Sequence, residues 1–180
     1  VHFIDLIRWV IKSNGRTVFA TGHKDKLKSL GLDFWDSLSA MIVFENDANF
    51  TVDASWILPD GFEAIVNQAI RVVGSEGIFE ADSQDRGAGA CLKGQTQKSY
   101  NLGVYSEKRT PDGKIIYGGY GIHSIMEFAD HVNYVLNGGA IGKLKGLYAD
   151  AIDGLEVSKI AVAAHMSAEA GGKIIDLSTL

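Results

Sequence analysis

Apolar positions over Val1 to Lys12 fall at Phe3, Ile4, Ile7, Val10 and Ile11, the spacing of one helical face. Ser13-Asn14-Gly15 supplies a stop for that helix. Thr17 to Thr21 reads as a short strand, and the charged stretch Lys24 to Lys28 as a solvated loop. From Ser37 the period changes to two. Leu38, Ala40, Ile42 and Phe44 alternate with Ser39, Met41, Val43 and Glu45. After a turn at Asn46-Asp47, Phe50, Val52, Ala54 and Trp56 alternate with Thr51, Asp53 and Ser55. This pattern predicts a hairpin of two half-buried strands.

The same period returns over Ile65 to Val73, which Gly74-Ser75-Glu76-Gly77 turns into Ile78 to Ala81. Further strands are expected at Ser99 to Tyr105 and at Lys114 to Tyr117, the second after the turn Pro111-Asp112-Gly113. Gly87 to Gly94 reads as a glycine-rich loop. Helical spacing resumes at Ile125, Phe128, Ala129, Val132, Val135 and Leu136, with Ser124 and Glu127 placed as a capping box. A final alanine-rich helix is expected from about Asp153 to Ala170, stopped by Gly171-Gly172.

Helix, then hairpin-linked strands, then helices is the order of an α+β domain. The expected architecture is a single large, mostly antiparallel open sheet with helices packed on one face. Strict βαβ alternation is absent from the pattern, and no G-x-G-x-x-G follows a strand and opens a helix. Gly118, Gly119 and Gly121 precede a helix, but with the wrong spacing for that motif.

Composition narrows the class. The chain has 180 residues, 46% hydrophobic and 22% charged, with a formal net charge of −5. That supports one globular domain spanning 1–180 and argues against a basic nucleic-acid surface. No apolar run approaches the roughly 18 residues of a membrane span, so no membrane partner is expected. One cysteine, Cys91, allows no internal disulfide and fits a reducing cytoplasm. Val1 is not an initiating methionine and the helical pattern starts at once, as expected of a piece of a longer protein.

The first helix carries the candidate chemistry. At about 100° per residue, its apolar residues occupy an arc of about 120°, and His2, Asp5 and Trp9 gather within about 60° on the other side. Lysine, glutamate or glutamine is usual on a solvated face. An imidazole can take a proton from a hydroxyl near neutral pH, and a carboxylate one turn away can accept bonds from polyol hydroxyls or orient the imidazole. The other account has Trp9 packing on a neighbouring element, with His2 and Asp5 incidental. Two such groups without a third are poor evidence for a metal. Trp56 ends a strand, where it would serve a cleft, the core or a subunit interface. Tyr120 and His123 stand on the glycine-rich approach to the capped helix, in reach of a cleft or of a capping contact.

Val1-His2-Phe3-Ile4-Asp5-Leu6-Ile7-Arg8-Trp9 resembles the H-x-x-D-l-x-x-W helix that begins the C-terminal domain of the glucose–fructose oxidoreductase / inositol dehydrogenase family. Ser55-Trp56-Ile57-Leu58-Pro59 resembles that family's strand end, and Val73-Gly74-Ser75-Glu76-Gly77-Ile78-Phe79 its hairpin turn. Asp153-Gly154-Leu155, with His165-Met166-Ser167-Ala168 and Gly171, resembles its last helix. The four stretches keep the family's order. The resemblance implies a two-domain enzyme whose N-terminal Rossmann domain, absent from this chain, binds NAD or NADP. It implies hydride transfer at a secondary hydroxyl of a sugar, cyclitol or related polar substrate. In that picture His2 is the general acid/base and Asp5 binds a substrate hydroxyl; Trp9, Trp56, Tyr120 and His123 are further substrate-binding candidates from their places in the sequence. The alternative is a non-catalytic dimerisation or ligand-binding module on the same sheet. Met41 and Val43, joined by Ile65, Ala69 and Val73 on a second apolar face, further predict a homo-oligomer through the sheet; the rival account has that face covered by the absent domain.

Overall fold

The computed structural model describes residues 1–62, 67–82, 88–90, 98–100 and 106–180. In chain order the elements begin with α1 (His2–Ile11), β1 (Gly15–His23), α2 (Lys26–Ser29), β2 (Ser37–Phe44) and β3 (Asn49–Ser55). Five short strands follow: β4 (Ala69–Gly74), β5 (Gly77–Asp82), β6 (Ala88–Ala90), β7 (Lys98–Tyr100) and β8 (Ser106–Arg109). The chain closes with β9 (Ile115–Gly118), α3 (Tyr120–Leu136), α4 (Ala151–Glu169) and β10 (Ile175–Asp176). It divides into two compact units, one of Val1–Pro59 with Ala149–Leu180 and one of Asp60–Tyr148.

The first unit is a four-stranded antiparallel sheet in the order β10-β1-β2-β3. Its register pairs Val18 with Ile42 and Ala20 with Ala40, so the even positions of β1 and β2 share one face. That face is closed by α4: Val18, Ile42, Phe44 and Ile160 are fully buried together. The opposite face carries Phe19, Met41, Thr51 and Ser39, side by side across the register. Period two therefore decided the burial pattern as the sequence foretold.

Helix α4 starts one turn before Asp153 in a true capping box. The Asp150 side chain accepts from the N–H groups of Ile152 and Asp153, and Asp153 Oδ2 accepts from the Asp150 N–H. It stops where expected. Gly171 and Gly172 both take positive φ, 69° and 91°, and the Gly172 N–H returns to the Ser167 carbonyl at 2.8 Å.

Among its described residues the second unit contains three two-stranded ladders, β4-β5, β6-β7 and β8-β9. The Ser75-Glu76 turn and the Thr110–Lys114 turn, with Gly113 at φ 83°, join strands as the turn residues predict.

Several expectations are corrected. The α+β class and the antiparallel pairing hold; among the described residues the pairing runs through one four-stranded sheet and three short ladders. Met41 and Val43 therefore belong to a different sheet from Ala69 and Val73, while Ile65 lies outside the described residues. Lys26–Ser29 is a short helix, not a loop, because the Asp36 carboxylate gathers its first N–H groups. Ala88–Ala90, within the expected glycine-rich loop, is a strand paired with Lys98–Tyr100. Residues 91–97, with Cys91, and 101–105 lie outside the described residues. Helix α3 begins at Tyr120 behind Gly119, so Ser124 is interior and its hydroxyl donates to the Gly121 carbonyl at 3.0 Å instead of capping. The strands β8 and β10 carry no alternation long enough to read from sequence.

Candidate functional site

Helix α1 sets the geometry of the candidate site. Ile4 and Ile7 are its buried apolar residues, and Val10 is 46% exposed, outside the core where the spacing had placed it. The buried arc is completed by Arg8, whose side chain is only 8% exposed. On a helix Arg8 stands about 40° from Ile4, so the core face is centred nearer Ile4 than the apolar residues alone suggest.

A buried guanidinium is costly unless its donors meet acceptors. Arg8 Nη2 donates to Asn14 Oδ1 at 2.8 Å, and Nη1 donates to the Asp153 carbonyl at 3.3 Å. Both Nη atoms reach Asp153 Oδ1 at 3.4 Å. Nη1 also lies 3.5 Å from Asp5 Oδ1, one helical turn back. The helix is thereby tied to the capping box of α4, which is itself packed on the sheet. Sequence reasoning missed Arg8; its one local signal was a cation beside the apolar arc with a carboxylate three residues earlier.

The other face of α1 is open. His2 is exposed, Trp9 is 66% exposed, and the Asp5 side chain remains 43% exposed despite its ion pair. Within the first unit Trp9 is thus not buried against a neighbouring element. The three residues share one accessible face, as their spacing predicted. A hydrogen-bonding carboxylate, an imidazole and an apolar ring on one surface can hold a polyol by its hydroxyls and its C–H face.

Trp56 is 82% exposed, which removes the core-packing account of it. Its backbone N–H donates to the Asp36 carbonyl at 2.9 Å, beside the Ser37–Ser55 pair. That is the end of the sheet opposite Gly15–Phe44, where α1 joins β1. The structure therefore does not bring Trp56 to the α1 junction. Tyr120 opens α3, and His123 lies in its first turn, its N–H donating to the Gly119 carbonyl at 2.9 Å. The His123 ring faces Gly118, its Nε2 3.5 Å from the point a Cβ there would occupy. Both belong to the second unit, while His2, Asp5, Trp9 and Trp56 belong to the first.

Sequence reading also missed a buried carboxylate at the Trp56 end. Asp36 accepts from the N–H groups of Leu27 at 2.8 Å, Lys26 at 2.7 Å and Asp25 at 2.8 Å. These donors, Leu27 foremost, hold its carboxyl below the ordinary carboxylate value against an opposing contribution from burial. Next to it the Trp35 indole N–H donates to His165 Nδ1 at 3.3 Å, and Lys24 Nζ stands 4.5 Å above the Trp35 ring. Lys24 also pairs with Glu169 at 2.9 Å and Asp33 at 3.1 Å, and these two bonds raise its pKa. Every polar group named in this cluster has a protein partner, so it reads as a clasp between the loop and α4.

Among the described residues no group of three or more His, Cys, Asp or Glu could hold a metal ion. Nor is any described helix long and apolar enough to cross a membrane.

Residues 1–80 match the GFO/IDH/MocA C-terminal domain. The match takes in α1, the Ser55–Pro59 strand end and the Val73–Phe79 turn, three of the four stretches that carry the resemblance. The fold extends it. Scyllo-inositol dehydrogenase from Lactobacillus casei, with bound NAD(H) and scyllo-inositol, superposes with a TM-score of 0.62 at 20% identity, over 98% of this chain and 46% of that one. GenD2 from gentamicin A biosynthesis, in complex with NAD, gives 0.62 at 21% identity, over 97% and 45%. Myo-inositol 2-dehydrogenase from Lactobacillus plantarum gives 0.56 at 19% identity, over 97% and 46%. The chain spans about half the length of these solved structures. Among curated proteins none matches the sequence. The α+β fold is that of the C-terminal domain of GFO/IDH/MocA dehydrogenases.

Proposed function

We propose that this chain is the substrate-binding half of an NAD(P)-dependent oxidoreductase acting on a secondary hydroxyl of a sugar, cyclitol or related polar substrate. The observation that carries the reading is the open face of α1, where His2, Asp5 and Trp9 are accessible together on a helix fastened from behind through Arg8. The matching fold belongs to enzymes solved with NAD(H) and with scyllo-inositol, which supports both the cofactor class and the substrate class.

In this reading His2 is the acid/base. A hydroxyl undergoing oxidation must release its proton, and an imidazole at the surface of a closing cleft accepts it. Asp5 binds a neighbouring hydroxyl and Trp9 lies against the apolar face of the ring. The described residues do not fit the nicotinamide cofactor itself. Their ladders are antiparallel throughout, and the glycines before α3 follow an antiparallel strand rather than opening a βαβ unit. We therefore assign the nucleotide to a Rossmann domain preceding this chain, and expect the chain alone to be inactive. Cytoplasmic residence and assembly through the outer face of the β10-β1-β2-β3 sheet complete the proposal.

The test is the coding sequence together with its product. An upstream segment of about 120 residues with a strand, G-x-G-x-x-G and helix is expected. The full-length product should reduce NAD or NADP with scyllo-inositol, myo-inositol or an aldose. A gene without that segment, or a product inert toward all of them, contradicts the assignment.

A further inference from the structure

Asp5 stands on α1 between two partners of opposite consequence: His2 three residues before it and Arg8 three residues after it. Both are within one helical turn, so its carboxylate can turn toward either. An exposed ion pair at this spacing is weak and would not by itself hold a side chain in one rotamer. Arg8 differs from an exposed partner. Its guanidinium is buried, donates to Asn14 Oδ1 at 2.8 Å, and is forked onto Asp153 Oδ1 at 3.4 Å from both Nη atoms. Asp153 is in turn fixed, since its Oδ2 accepts from the Asp150 N–H at 3.1 Å. The Arg8 Nε is buried without a hydrogen-bond partner among the described residues, so the group is placed by its two Nη atoms alone.

We propose that Arg8 is a positioning residue for the α1 site: its immobilised guanidinium holds the Asp5 carboxylate in one direction, turned from His2. This rests on the assignment of Asp5 and His2 as substrate-binding and acid/base groups. A planar, rigid fork can meet Asp153 and Asp5 together, whereas a lysine ammonium on a flexible stem cannot reproduce that arrangement. The consequence is chemical. Asp5 is kept ready for a hydroxyl of the substrate, and His2 is kept from being spent on a carboxylate in its own helix.

The direct test is nuclear magnetic resonance on this chain. The three-bond Hα–Hβ couplings of Asp5 are expected to report one staggered χ1 rotamer in the native protein and averaged rotamers in Arg8→Lys, which keeps the charge, with native dispersion of the other resonances as the check that the variant is folded. Unaltered couplings in both Arg8→Lys and Arg8→Gln would overturn the proposal. In the full-length enzyme, with scyllo-inositol as probe, Arg8→Gln should raise KM about tenfold, the loss expected of one charged hydrogen bond, and leave kcat within about twofold. In an Asp5→Asn background the same change should add nothing. Full additivity would show that Arg8 acts elsewhere, and Asp5 would keep its substrate role through its own effect on KM. An Asp5→Asn variant with unchanged KM would instead defeat the substrate reading of Asp5, whatever the couplings show.

Discussion

The Ser167 hydroxyl serves both backbone groups of Ala20, accepting from its N–H at 2.8 Å and donating to its carbonyl at 3.3 Å. β10 pairs with β1 only at Thr17 and Val18, so beyond them this edge of β1 needs another partner, and α4 provides it. A single side chain thus stands in for a missing strand, at a position with no exposure to water.

Ser167→Ala leaves a buried N–H and carbonyl without partners, and should cost about 1–3 kcal/mol. Thermal and urea unfolding of the two proteins measure it. A cost below about 0.5 kcal/mol, the range of an ordinary surface substitution, would mean that the hydroxyl is dispensable.

Asp36 predicts an acid limb in the stability profile. Its folded carboxyl lies below the ordinary value, so its contribution is fully present above the ordinary carboxylate range and is lost as pH falls through the folded value. Asp36→Asn should lower the melting temperature at neutral pH and narrow the gap from the native protein as the medium is acidified. Parallel profiles would contradict that account.

Gly22 sits under the Trp35 ring, where a Cβ would come within 2.5 Å of the indole and 3.0 Å of the Ser37 carbonyl. Gly22→Ala should displace Trp35 from His165, which a shift in Trp35 fluorescence would report. A native-like spectrum and an unchanged melting temperature would count against the close packing.

The proposed assembly through the outer sheet face predicts that Met41→Lys dissociates the oligomer, since a charge would then face a neighbouring copy across that face. Light scattering over a range of concentrations decides it. A native protein that is monomeric throughout removes this interface.

The legible parts of the molecule were those written in local periods. Alternation placed Ala40, Ile42 and Phe44 on the buried face because each residue of a strand reverses sides, whatever lies above it. Helical spacing likewise put His2, Asp5 and Trp9 on one open face, and two glycines at positive φ ended α4. What stayed hidden depends on distant partners. Arg8 is buried only because Asp153 meets it from across 145 positions of sequence. Asp36 and Ser167 look like ordinary polar residues until backbone groups of Leu27 and Ala20 arrive beside them. The capping box at Ser124 failed for the converse reason. A local signal was overridden by a helix that had already begun at Tyr120.

His2 carries the central claim. In the full-length protein, His2→Ala should lower kcat for polyol oxidation by about 10²–10⁴-fold, the usual contribution of a general acid/base, with NAD affinity within about twofold. A His2→Ala enzyme with native kcat would contradict the account.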